Sequence, residues 1–218
     1  VNVVFDFVLV VILHKGIAGA AIATFIAQTV CAILVTLQLM LSKDVYQLTL
    51  SKIKFHLPVL KKIVQIGAPA GIQSTMYSIA NIVLQTHINA FGTQTIASWS
   101  VYVKIDALFW MVMAAIGAAI TTFVGQNIGA KQYNRVKKGA YITTFLAMVT
   151  IGFFVVIMYF FGRDFIALFN QEKDVIDAGR LMQLTFLPFY IFLPINQVIN
   201  GVLRGAGRSA VPMYVMIF

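Results

Sequence analysis

Apolar residues run through this chain of 218 residues in long blocks, and short polar or basic turns separate them. The clearest block lies inside residues 94–138, where residues 107–124 carry no charge and are almost all apolar or small. At about 1.5 Å rise per residue such a block crosses a hydrocarbon core of about 30 Å, which predicts a spanning helix. Upstream, residues 1–13 are apolar except for Asn2 and Asp6 and are too short to cross alone, so they read as the tail of a helix. His14, Lys15 and Gly16 make a turn into a second apolar block over 17–41. Residues 42–62 are too charged to span, carrying Lys43, Lys52, Lys54, Lys61 and Lys62 against Asp44. The apolar positions interleaved with them predict an amphipathic connector on a membrane surface. Residues 67–92 have helical length with Pro69 near their start, and 141–161 form another uncharged span. Residues 163–180 mix both signs of charge and predict an outer loop. A span over 181–203 contains Pro188 and Pro194, which remove backbone hydrogen bonds and predict kinks. A basic turn at 204–208 precedes the start of a further helix at 210–218. The pattern predicts an all-α, polytopic transmembrane bundle of five full spans and two partial helices.

Composition agrees with the pattern. The chain is 60% hydrophobic and 11% charged, with a mean hydropathy of +0.89, whereas soluble domains are about one quarter charged. The net charge of +9 does not indicate nucleic acid, because the basic residues lie in short loops next to anionic headgroups and form no solvated basic face. Placing residues 42–62, 129–138 and 204–208 on one side gathers eleven of the sixteen Lys and Arg residues there, and that side is predicted to be cytoplasmic. Cys31 is the one cysteine and forms no internal disulfide. The chain opens on Val1 without a leader pattern and stops within an apolar run. It therefore reads as a piece of a longer membrane protein, whose missing helices are its first partners.

Polar groups inside apolar blocks carry the candidate chemistry. Asn2 and Asp6 are four apart and share a helix face, and Thr24 lies in the small-residue run GAAIAT of the next helix. Together they offer hard oxygen ligands to a proton or a sodium ion. The alternative is that Asp6 lies among headgroups, where its charge costs little. Residues 67–92 hold Gln73, Ser74, Asn81, Gln85, His87 and Asn89. So many polar groups predict a helix that lines a cavity, since each unsatisfied group in lipid costs several kcal/mol. His87 reads as interfacial. Lys104 and Asp106 are two apart and point in opposite directions, so each requires its own partner. Either one of them lines a solvated pathway, or Lys104 snorkels outward and Asp106 belongs to a structural pair. Asn196, Gln197 and Asn200 cluster after Pro194. The histidines His14, His56 and His87 are scattered, with no metal or nucleophile constellation, which argues against an enzyme.

The order of NVVFD, GIAGAAIATFIAQ, GAPAGIQ after a basic connector, FVGQNIGAKQYNRVKKG and VLRGAGRSAVPM resembles the multidrug and toxic compound extrusion (MATE) transporters over essentially the whole chain. The resemblance implies a twelve-helix, two-lobe fold. Residues 1–41 would then be the last one and a half helices of the first lobe, and 42–64 the cytoplasmic connector. Residues 65–218 would be helices seven to ten and the start of eleven. It also implies a cation-coupling site at Asn2, Asp6 and Thr24. NorM-like members carry a helix-seven glutamate and a helix-ten aspartate for sodium, but here the first position is Tyr77 and 181–203 has no acid. The resemblance is thus to the DinF-like branch with first-lobe coupling. The implied activity is antiport of amphipathic, cationic drugs against a proton or sodium ion by alternating access, in the bacterial inner membrane, with no other cofactor. A lipid-linked oligosaccharide flippase of related fold and a membrane-embedded enzyme are the alternatives. Candidate pathway residues are Lys104, Asp106, Gln73, Tyr77, Asn81, Gln85, Asn196 and Asn200.

Overall fold

In the computed structural model, which describes residues 1–43 and 47–217, the apolar blocks are helices and the described residues contain no strand. Asp44, the one acid of the expected connector, lies outside the described residues, as does Phe218. The chain divides into two compact units, Val1–His56 and Leu57–Phe218.

In the first unit, α1 (Asn2–Asp6) runs on as a π-helical stretch, Phe7–Ile12, and a turn leads to α2 (Gly16–Leu41). His14 and Gly16 take positive φ in that turn, at 49° and 52°. Gly19 lets the hairpin close, because a Cβ there would stand 2.9 Å from the Leu9 carbonyl oxygen. Only Gly19 and Ala23 of α2 are buried, so its apolar side chains face outward as those of a lipid-exposed helix do. In the connector, a short 3-10 turn at Leu50–Lys52 is followed by exposed Ile53 and Phe55.

The second unit opens with α3 (Leu57–Asn89), which begins before Gly67 and takes in Lys61 and Lys62. Then come α4 (Thr93–Gly129) and α5 (Tyr133–Ala167). The expected outer loop over 163–180 shrinks to residues 168–172, since Arg163 and Asp164 lie within α5, which runs to Ala167, and α6 (Lys173–Phe186) follows. Arg163 pairs with Asp177 at 2.9 Å across that turn. Charge tells where the apolar slab ends, but backbone hydrogen bonding continues past that edge. Arg180, expected in the loop, instead donates to the carbonyls of Met158 (2.8 Å) and Tyr159 and to Gln183 (2.8 Å).

After α6 the chain tightens into a 3-10 segment, Leu187–Phe192, and resumes as α7 (Leu193–Gly205) and α8 (Ala210–Ile217). Pro188 and Pro194 each sit at the start of their segment, where the missing N–H costs nothing. The predicted kinks are therefore a break of one span into three pieces.

Among the described residues four helices are long and apolar enough to cross a membrane: Gly16–Leu41, Thr93–Gly129, Tyr133–Ala167 and the interrupted Lys173–Gly205. The fifth expected span, α3, has 33 residues and ample length, but its polar stripe lowers its hydropathy. The core centres on α4. Val101, Ile105, Phe109 and Met113 pack with Ile151, Met158, Ile166, Leu187 and Tyr190, and Ile120 and Val124 pack with Ala147 and Val198. Small residues bring α4 and α7 close. A Cβ on Gly205 would stand 2.5 Å from the Thr121 carbonyl oxygen, and one on Gly201 would stand 3.0 Å from that of Gly117. The Thr121 hydroxyl donates to Gly117 (2.7 Å) and Gly201 (3.2 Å) in the same seam.

Candidate functional site

Three helical stripes of polar and aromatic residues face one another in the second unit. On α3 the stripe is Gln73, Tyr77, Asn81, Leu84 and Gln85, spaced by three or four residues so that one face carries it. On α4 it is Trp99, Tyr102, Val103, Asp106, Trp110 and Met113 at the same spacing, and on α7 it is Leu193, Asn196, Gln197, Asn200 and Arg204. With Phe186 of α6 they line an open cavity of about 800 Å³, within the usual size of small-molecule sites.

Asp106 is half-buried in the aromatic end of this cavity. One carboxylate oxygen accepts from the Trp110 indole at 3.0 Å, and the other accepts from the Tyr190 hydroxyl. Because Tyr190 gives its proton to Asp106, the 2.9 Å contact with Tyr102 has Tyr102 as donor. Around this chain Tyr77 meets Trp110 edge-on at 5.6 Å, Trp99 lies 5.2 Å from Tyr102, and Tyr102 stacks on Phe186 at 5.5 Å. A smaller cavity of about 190 Å³ lies behind Asp106 against Phe189 and Tyr190. An aromatic wall holding one carboxylate suits an organic cation, which the rings attract by their faces and the carboxylate by charge.

The other end is different. Arg204, in the last turn of α7, donates to the Gln73 side chain, while its Nε is buried without a partner among the described residues. Between the ends Asn200 donates to Asn196 at 2.8 Å. Of the eight sequence candidates for the pathway, Gln73, Tyr77, Asn81, Gln85, Asp106, Asn196 and Asn200 line this cavity. Lys104 does not: its ammonium lies over the Phe169 ring at 5.5 Å. Two positions turn a helix by about 200°, so when Asp106 faces inward Lys104 faces away. His87 is also off the cavity, bonded to the Val83 carbonyl at 2.8 Å. Trp99, Tyr102, Trp110, Tyr190 and Arg204 were not singled out by sequence. The recurrence of aromatic residues four and seven positions from Asp106 was the available signal for the first three.

In the first unit Asn2 donates to the Thr24 hydroxyl at 3.5 Å, and Thr24 donates to the Ala20 carbonyl at 2.9 Å. Asp6 follows one turn after Asn2, half-buried, and accepts no side-chain hydrogen bond among the described residues. No three His, Cys, Asp or Glu side chains gather as a metal site among the described residues.

The MatE family model matches residues 69–218, which include the stripes of all three cavity helices. The chain belongs to the MATE family. Members of this family are transporters, not enzymes, and the chain is accordingly a multi-pass membrane protein. Its relatives include the probable multidrug resistance protein YoeA of Bacillus subtilis, 27% identical over 209 residues, with 93% of this chain and 44% of that protein covered. The probable multidrug resistance protein NorM of Thermotoga maritima is 26% identical over 206 residues, with coverage of 93% and 43%. Among solved structures, the outward-facing conformation of a multidrug resistance MATE transporter matches with a TM-score of 0.91 at 21% identity. It is covered over 49% of its length and this chain over 100%. MATE in complex with MaL6 matches with a TM-score of 0.90 at 22% identity over the same shares. These two structures support the MATE fold alone. The chain spans less than half the length of the two sequence relatives, and their bacterial sources fit an inner-membrane location.

Proposed function

We propose that this chain is the substrate-holding part of a cation-coupled multidrug efflux antiporter. The observation that carries the proposal is the cavity of about 800 Å³ inside a MATE-family bundle, walled by Trp99, Tyr102, Trp110 and Tyr77 around one carboxylate, Asp106. Such a wall binds amphipathic cations of varied shape, because ring faces and apolar area impose little geometry. That tolerance agrees with the multidrug names of the relatives. In the first unit Asp6, with Asn2 and Thr24, is the proposed site of proton or sodium uptake, and the cavity opens alternately to the two sides of the membrane as the ion and the drug exchange. A flippase for lipid-linked sugars calls for a strongly cationic cavity, whereas among the described residues Arg204 is the one basic residue lining this one.

The test uses the full-length protein in everted membrane vesicles with tetraphenylphosphonium as the probe. Asp6→Asn keeps the side chain's shape and removes its negative charge. It should abolish gradient-driven accumulation while leaving equilibrium binding of the probe largely intact. Accumulation at the wild-type rate by Asp6→Asn would overturn first-lobe coupling.

A further inference from the structure

Lys104 stands within a spanning helix of the second unit and takes no part in the cavity. It faces the opposite side of α4 from Asp106 and is exposed there. Among the described residues the ion pair is Arg163–Asp177, so no carboxylate pairs with Lys104. Its ammonium lies over the Phe169 ring at 5.5 Å. Phe169 belongs to the turn at 168–172 between α5 and α6. The charges around that turn, Asp164 before it and Glu172, Lys173 and Asp174 after it, are all exposed. Charges so placed mark the edge of the apolar slab, and the contact with Phe169 therefore sets the Lys104 ammonium at headgroup depth.

The surface next to it is that of a helix in lipid. Leu108 and Met111 follow Lys104 by four and seven positions and so share its side of α4. At about 1.5 Å per residue they lie roughly 6 and 10 Å farther from that edge, and both are exposed, Met111 to 71%. Leu168 and Phe169 stand exposed at the edge itself. A cation at headgroup depth with an apolar strip beneath it matches a lipid, whose phosphate sits above its acyl chains. We propose that this face of α4 is a binding site for an anionic phospholipid of the phosphatidylglycerol type, in the leaflet that borders the α5–α6 turn. Lys104 takes the phosphate, while Leu108 and Met111 take the first part of an acyl chain. The Phe169 ring holds the ammonium from one side and leaves its other N–H donors to the phosphate oxygens. An ammonium among apolar side chains is costly without a counter-charge, which an anionic headgroup supplies. Phosphatidylcholine carries a cation in its own headgroup that competes for the same phosphate, so the site discriminates against it.

The experiment uses the full-length protein in phosphatidylcholine vesicles and reads lipid contact at this face alone. Met111→Trp adds an indole on the exposed strip, and its fluorescence, taken as the difference from the protein with Met111 in place, is quenched by brominated acyl chains that touch it. Quenching by brominated phosphatidylglycerol against brominated phosphatidylcholine gives the relative affinity of the two lipids at the site. Phosphatidylglycerol should be favoured about fivefold, as one basic residue at an anionic lipid surface supplies. Adding Lys104→Gln should bring the ratio to about one, and Lys104→Arg should keep it. Lys173→Gln, which removes an exposed charge just beyond the same turn, should leave it unchanged. A ratio near one in the Met111→Trp protein, or a preference that survives Lys104→Gln, overturns the assignment. A difference signal that neither brominated lipid quenches means that protein covers this face, and overturns it as well.

Discussion

At Asp106 the carboxylate is held by two neutral donors, and one of them, Tyr190, carries a second hydroxyl, that of Tyr102. Each link is made inside the bundle, where an orphaned polar group is expensive. Tyr190→Phe removes a donor to Asp106 and strands the Tyr102 hydroxyl. It should therefore destabilise by about 1–3 kcal/mol. The double variant Tyr102→Phe/Tyr190→Phe should cost less than the sum of the two single changes, because the stranded hydroxyl is gone. Unfolding midpoints of the four proteins in detergent check this, and a wild-type midpoint for Tyr190→Phe would mean that the chain of hydroxyls contributes nothing. Asp106 was legible in the sequence as an ion within an apolar helix. Its partners were not, because Tyr190 comes from a segment 84 positions away and sits in an otherwise apolar run. Arg204 was legible only as part of the basic turn at 204–208. That its side chain turns back to Gln73 is a matter of how α3 and α7 stand together.

Among elements, the α4–α7 seam governs the shape of the cavity, since each helix carries one of its walls. Gly205→Ala sets a methyl group against the Thr121 carbonyl, a backbone atom that cannot swing aside. The expected cost is about 1–3 kcal/mol, as for overpacking elsewhere. Gly152, mid-way along α5, is the control, with nothing within 4 Å of an added Cβ. Gly152→Ala should be neutral or stabilising by up to about 1 kcal/mol from helix propensity. If the two variants show equal melting temperatures, close packing at Gly205 does not hold the seam. Helix type was readable from the apolar blocks and the proline positions, while helix ends were not. Lys61, Lys62, Arg163 and Asp164 read as loop because they are charged, yet each lies within a helix that extends beyond the apolar region.

For the whole molecule the distribution of Lys and Arg predicts a direction: the turn at 130–132, with the basic first turns of α5, on the cytoplasmic side and the turn at 168–172 on the outside. Gln132 and Gln171 are exposed in those turns. In a Cys31→Ser background, a cysteine at Gln132 should react with membrane-impermeant maleimide only in inverted vesicles, and one at Gln171 only in intact cells. Labelling of Gln132 from outside the cell would reverse the orientation. The sequence by itself determined the all-α membrane class, the order of the helices and the family, because these follow from long apolar blocks and motifs that are local in the chain. It also determined that α3 turns a polar stripe inward, since lipid cannot satisfy Gln73, Asn81 and Gln85. Only the tertiary structure decided which charges share a cavity. Lys104 and Asp106 are neighbours in sequence but face different surroundings, while Asp106 and Arg204 are far apart in sequence and close the same space. The reason is rotational: around a helix a single residue step moves a side chain by about 100°, so the facing of each side chain is set by how the helices pack.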